Sequence, residues 1–185
     1  MEKKNVLEDI NSENEVQQEV YSSEEEIPTA IEKEKEFEKF VVSVRRVAKV
    51  LKGGKKLSFS AVVVVGNKDG LVGYSIGKAR EVPAAIDKAA RRAMKNLIEV
   101  KIVNETIPHQ IIGKFGSTKV LLKPAKKGTG VIAGLTLRAV MDAAGVKNVV
   151  TKIIGSTNPV NVIPAAFNAL KQLRTLEEIK LLRQQ

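Results

Sequence analysis

Between residues 40 and 79 the apolar positions fall at strand spacing, interrupted by two glycine-containing turns. FVVSVRRVAKVL (residues 40–51) is rich in β-branched residues and partly alternating, so it predicts a strand. KGGKK (residues 52–56) predicts the loop that follows. LSFSAVVVVG (residues 57–66) predicts a second strand, and its unbroken valine run implies burial on both faces. GNKDG (residues 66–70) predicts a hairpin turn, because Asp-Gly tolerates the positive φ such turns need. LVGYSIGKA (residues 71–79) predicts a third strand, loosened by Gly73 and Gly77. The pattern is an antiparallel meander.

The period then changes from two to 3.6. EVPAAIDKAARRAMKNL (residues 81–97) predicts a helix with Pro83 in its first turn. At 100° per residue Lys88, Arg91, Arg92 and Lys95 share one face, and Ile86, Ala93 and Leu97 lie opposite. A sheet packed on the apolar side leaves a basic stripe in solvent, of one sign rather than mixed.

Beyond it the pattern is again α+β. Residues 106–125 read as two short strands around GKFGSTK, and KKGTG as a basic glycine-rich loop. VIAGLTLRAVMDAAG (residues 131–145) reads as a helix capped at Gly145, and VKNVVTKIIGS (residues 146–156) as a strand. TNPVNVIPAAFNALKQL (residues 157–173) reads as a helix that Asn158 can cap and Pro159 can start. Pro164 lies inside it and argues for a later beginning. TLEEIKLLRQQ closes the chain as a short helix or tail.

Residues 1–38 are polar and Glu-rich, carrying 4 Lys and 13 Asp+Glu, a balance of −9. They read as a disordered acidic extension, helical at most in its second half. The remaining 147 residues carry +19, so the overall +10 understates how basic the folded part is. Such an excess repels itself unless a polyanion compensates it, and nucleic acid is the usual one. The organisation expected is a tail (1–38), a first α+β domain (39–104), a second (105–175) and a terminal helix or tail (176–185).

Candidate chemistry is sparse. Without Cys there is neither a disulfide scaffold nor a thiolate metal site, and no metal or cofactor is expected. No apolar run is long enough to span a membrane, and the acidic start suits no signal or transit peptide, so a cytoplasmic protein is expected. His109, the single histidine, sits in IPHQII with no carboxylate nearby and reads as structural or RNA-facing. PAKKGTGVIAG (residues 124–134) places Gly128 and Gly130 just before a predicted helix, where backbone amides can hold phosphate. It loosely resembles the phosphate loop of the galactokinase–homoserine kinase superfamily. Val131 and Ile132 stand where those kinases have serines.

KGGKK carries more cations than a turn requires. Arg45, Arg46, Lys49, Lys52, Lys55 and Lys56 surround Gly53 and Gly54, which let the backbone approach RNA closely. With few aromatics for stacking, phosphate and shape recognition fits best.

Several blocks in order, KGGKK, GKAREVPAAI, GTGVIAG and GSTNPVNV, resemble the bacterial small-subunit ribosomal protein five family, from about residue 40 to 172. The resemblance implies a double-stranded-RNA-binding-like domain of three antiparallel strands and a helix. It implies a second domain with the fold of the kinase superfamily above. It implies a structural, non-enzymatic role in the small ribosomal subunit. The implied partners are small-subunit ribosomal RNA, small-subunit proteins four and eight, and messenger RNA near its entry channel, with a link to subunit assembly and decoding accuracy. No small-molecule substrate is implied. The residues implied for RNA are those of the basic arm, Lys78 and Arg80 at the helix entry, the helix stripe, and Lys126 and Lys127. Gly116, Ser117 and Lys119 are implied for the contact with protein four. The long acidic extension and the segment after Leu173 depart from the family's pattern. The alternatives are a free double-stranded-RNA-binding regulator and a small-molecule kinase.

Overall fold

The computed structural model describes residues 37–183, and the readings made for residues 1–36 lie outside them. Strands β1 (Glu38–Leu51), β2 (Gly54–Gly66) and β3 (Leu71–Ala79) form the expected meander. Helix α1 (Val82–Met94) follows, with Pro83 in its first turn. The helix stops before the predicted residue 97. Lys95 is its C-cap, and Leu97 belongs to a short strand, β4 (Leu97–Glu99), which pairs antiparallel with β3. The first sheet therefore has four strands where three were expected. The β-branched Ile98 and the edge of β3 outweigh helix continuation there.

The glycines of β3 have a different purpose from the loosening expected of them. A Cβ on Gly77 would stand 2.1 Å from the Ala85 carbonyl oxygen, and one on Gly73 2.4 Å from that of Ala93. The buried residues of the helix are all alanines, Ala85, Ala89, Ala90 and Ala93, with Ile86 and Met94 packing at the margin, so it sits against the strand backbone. Alternate β2 residues Ala61, Val63 and Val65 complete this small core.

The other face of the first sheet is buried as well. Val62, Val64 and Val72 join a larger core with residues of helices α2 (Leu135–Ala144) and α3 (Pro159–Lys171). The valine run is buried on both faces, as the sequence predicts. The β2–β3 turn also docks on the end of α2. Lys68 and Gly70 amides donate to the carbonyls of Ala143 and Ala144, beside the left-handed cap Gly145. The described residues 37–183 accordingly form one compact unit.

The second sheet has the order β5 (Ile111–Phe115), β6 (Thr118–Pro124), β8 (Val149–Ile154), β7 (Val131–Ile132). α3 covers its inner face, again at close range, since a Cβ on Gly113 would meet the Ala165 carbonyl oxygen at 2.0 Å. Two sequence expectations are corrected here. Val131 and Ile132 are extended and pair in parallel with β8, so α2 begins only at Leu135. Their β-branched side chains suit the strand, and Gly130 and Gly134 bracket it. Helix α3 starts at Pro159 and runs through Pro164. Asn158 caps it by accepting from the Val160 amide. Pro164 forgoes one backbone bond, but the surrounding residues 162–167 are buried, and packing outweighs that loss.

Helix α4 (Leu176–Arg183) opens with a capping box. The Glu178 amide donates to Thr175 Oγ1, and the Thr175 amide donates to the Glu178 carboxylate. That backbone bond, with help from Lys101, holds the Glu178 carboxyl below the usual glutamate range.

Candidate nucleic-acid interface

Strands β1 and β2 are longer than the sheet that contains them. β3 pairs with β2 only from Phe59 to Gly66, whereas the β1–β2 register continues from Val47↔Ser58 to Leu51↔Gly54. The last five pairs form a two-stranded arm beyond the sheet edge, about 16 Å long at the usual strand rise. Only Lys52 and Gly53 close it. KGGKK is therefore a tight hairpin end rather than a five-residue loop, and Gly54, Lys55 and Lys56 are strand residues. Gly54 has φ +146 and Gly53 faces open space, so the tip backbone is bare.

The register assigns each cation to a face. Arg46, opposite Phe59, and Lys55, opposite Val50, lie on the side that carries α1. Arg45, Lys49 and Lys56 lie on the other. Lys49 and Lys56 are direct cross-strand partners, a like-charge pair that destabilises an isolated ribbon. All of Arg45, Arg46, Lys49, Lys52, Lys55 and Lys56 are exposed. Among the described residues, the ion pairs are Lys39–Asp87, Lys68–Glu38, Lys101 with Glu99 and Glu178, and Lys147–Glu105. None uses an arm cation.

At the root of the arm, Lys49, Ser58, Lys78 and Arg80 line one notch of about 390 Å³ with Val47. Lys78 lies opposite Ser60, which places it on the face away from α1. The structure thus brings the helix-entry cations to the arm. Lys88, Arg91, Arg92 and Lys95 are all exposed along the outer side of α1, opposite its buried alanines. Arg91 and Arg92 also occupy the last turn, where the helix dipole favours them.

Lys126 and Lys127 belong to a separate element, the loop between β6 and β7. That loop is organised by Asn148, which is buried. Its Oδ1 accepts from the amides of Gly128 (3.0 Å) and Gly130 (3.1 Å). The amides expected to hold phosphate are occupied, and β7 separates them from α2. The phosphate-loop geometry suggested by the sequence is absent at this loop for both reasons. The sequence reading overlooked Asn148, whose one signal is a polar amide at the start of an apolar strand. Asn148→Leu should lower stability by about 2 kcal/mol, because two amides lose their acceptor. Thermal unfolding beside wild type measures it, and hydrogen exchange should quicken at Gly128 and Gly130.

Nearby, Lys147 donates to Glu105 at 2.8 Å. This bond and its charge hold the Glu105 carboxyl below its ordinary range and raise the Lys147 ammonium. His109 is held structurally. Its Nδ1 lies 3.0 Å from the Gln110 carbonyl, and its Nε2 accepts from the Arg174 amide.

Gly116 (φ +55) and Ser117 form the β5–β6 turn, and Lys119 follows on β6. Lys119 faces away from α3, opposite Lys114 and Ile154, on a sheet face that also carries Lys123 and Lys152. Ile112, Ile132 and Ile154 are exposed there. Thr118 is turned inward, its hydroxyl donating to the Ser156 carbonyl. Among the described residues no group of His, Asp or Glu has a metal-binding arrangement, and no helix is long and apolar enough to cross a membrane.

Fold and surface together define a two-sheet α+β protein with a group of cations on a projecting hairpin and a stripe of them along one helix. The N-terminal domain model of ribosomal protein S5 matches residues 37–101, and the C-terminal domain model matches residues 113–183. The small ribosomal subunit protein uS5 of Thermotoga neapolitana is 55% identical over 148 residues, 80% of this chain and 83% of the relative. That of Koribacter versatilis is 59% identical over 140 residues, 75% of this chain and 83% of its own. That of Syntrophobacter fumaroxidans is 54% identical over 143 residues, 77% and 86% respectively. The chain belongs to the ribosomal protein S5 family, a family of ribosomal proteins and not of enzymes.

Proposed function

We propose that the protein is a structural, RNA-binding component of the small ribosomal subunit in the cytoplasm, and that it works by positioning. The observation that carries this is the arm, where Lys49 and Lys56 face each other across a ribbon with no acidic residue from 39 to 68 to relieve them. Phosphate lying between or around the lysines would relieve that repulsion. Arg45, Arg46, Lys52, Lys55, Lys78, Arg80 and the α1 stripe extend the same surface, and Lys126 and Lys127 add a second, smaller one.

In this reading residues 39–104 act as a double-stranded-RNA-binding-like domain, supported by a meander backed by one helix. Residues 105–175 form the second domain, with the kinase superfamily's fold but without its free phosphate loop. The face bearing Lys119 receives a neighbouring protein. The cross-strand pair Lys114↔Lys119 and the exposed isoleucines suit a partner with carboxylates around an aliphatic ridge. We assign it to small-subunit protein four, with Gly116 and Ser117 at its edge. Contact with protein eight, the messenger entry channel and decoding accuracy belong to the same reading.

Omission reconstitution tests the role. Small-subunit particles assembled without this protein should sediment slowly and bind messenger poorly, and adding it should restore both. Equal particles with and without it would overturn the proposal.

A further inference from the structure

We infer that a cavity at the C-terminal end of α2 receives a basic side chain, an arginine or a lysine, from a neighbouring protein of the small subunit. Its charge meets Asp142, and its aliphatic stem lies against Phe40, Val131 and Val146. The inference rests on the subunit reading above. It adds a protein-contact site that takes the opposite charge from the Lys119 face.

The cavity lies where the start of β1, the β2–β3 turn, β7 and the end of α2 meet, and it measures about 510 Å³. Phe40 and Val131 are half-buried in its walls, and Val146 is buried. Four charged residues also line it, Glu38, Lys68, Asp142 and Lys147. Three of them are already engaged, because Lys68 bridges to Glu38 and Lys147 bridges to Glu105. Asp142 makes no ion pair among the described residues.

Asp142 is poorly placed to stand alone. It is half-buried in the last turn of α2, where the helix dipole disfavours an anion. No basic residue occupies that turn to offset it. A cation entering the cavity relieves both problems. The walls select its form. An aliphatic stem gains by leaving water, and a flat guanidinium can stack on the Phe40 ring. RNA does not suit the cavity, since Asp142 and Glu38 repel phosphate. A free polyamine suits it little better, because the balance of +19 beyond residue 38 repels a diffusible polycation. A side chain carried by a protein that other contacts hold in place arrives at high effective concentration and overcomes that repulsion.

The test uses the full chain. n-Butylguanidinium stands in for the side chain, and 1-butanol is the uncharged control. In amide NMR spectra butylguanidinium should shift Val131, Gly145, Val146 and Lys147, with a dissociation constant of about 1–10 mM. Butanol should not reproduce these shifts. Asp142→Asn should weaken the binding at least about fivefold. That variant should melt at or slightly above wild type, because it removes an anion from a helix C-terminus. A clearly lower melt would make Asp142 a folding residue and overturn the inference.

A second measurement labels carboxylates with a carbodiimide and glycine ethyl ester. Asp142 should label in the free chain and equally in the chain bound to deproteinised small-subunit RNA. In intact small subunits it should be protected at least about tenfold, as in the desolvated centre of a protein interface. Protection by RNA alone, or by spermidine added to the free chain, would overturn the inference. So would butylguanidinium that does not bind, or that binds Asp142→Asn equally well. If the chain does not enter subunits, the subunit reading fails and takes this inference with it. A chain that enters them with Asp142 still fully labelled defeats the inference alone.

Discussion

Replacing Lys52, Lys55 and Lys56 together with alanine should weaken binding to small-subunit RNA by about a hundredfold near 0.1 M salt, at roughly 1 kcal/mol for each phosphate left without its lysine. The salt dependence should change as well. Each lysine that releases a counterion contributes about one unit to the slope of log affinity against log salt, so the slope should flatten by about three. Folding should not suffer. The three side chains are exposed, lie outside both cores and make no ion pair among the described residues. Removing Lys56 also ends its repulsion with Lys49, so the free protein should be as stable as wild type or slightly more so. Filter binding across a salt series, beside a thermal melt, reads both quantities. An unchanged slope would remove the arm from the RNA interface.

The second large effect concerns the glycine that seats α1. Gly77→Ala places a methyl 2.1 Å from the Ala85 carbonyl oxygen and 2.7 Å from the Ala89 nitrogen. Both are backbone atoms and cannot swing aside. The helix must lift from the sheet, which opens the alanine–valine core on that side. The cost should be about 3 kcal/mol, and the melting temperature should fall by about 10 °C for a unit of this size. Gly53→Ala is the matched control. Its Cβ would meet nothing within 4 Å and its φ is not in the left-handed region, so stability should stay within about 0.5 kcal/mol. Similar melts for the two variants would contradict the close packing of α1. Because α1 carries Lys88, Arg91, Arg92 and Lys95, Gly77→Ala should also weaken RNA binding, but without the specific flattening of slope expected at the arm.

The meander, the hairpin turn at residues 66–70 and the basic stripe of α1 were legible because each rests on local signals, although the positive φ in the turn falls on Lys68 and Gly70 rather than on Asp69 and Gly70. These are alternation, a turn dipeptide and a single-sign helix face. Gly145 as a C-cap and Asn158 as an N-cap were legible for the same reason. The misreadings came from tertiary structure. Gly73 and Gly77 look like weak points in a strand until a helix is known to lie on them. Val131 and Ile132 look helical in continuity with α2, yet β8 claims them as a parallel edge strand. The KGGKK segment looks like a loop because its composition is that of a loop, and only the register shows that pairing runs to Gly54. The amides of Gly128 and Gly130 look available because Asn148, some twenty residues away, gives no local sign that it will take them. Charge was legible in amount but not in arrangement. The sequence offers a string of cations, whereas the fold groups Lys49, Lys78 and Arg80 at one notch and sets Lys126 and Lys127 apart.

A chain that is part of the small ribosomal subunit must travel with that subunit. Sucrose-gradient sedimentation of cell lysate at low magnesium, with blotting for the chain, tests it most directly. The protein should track stoichiometrically with the small subunit and stay there through a moderate salt wash. Protein remaining at the top of the gradient would contradict it.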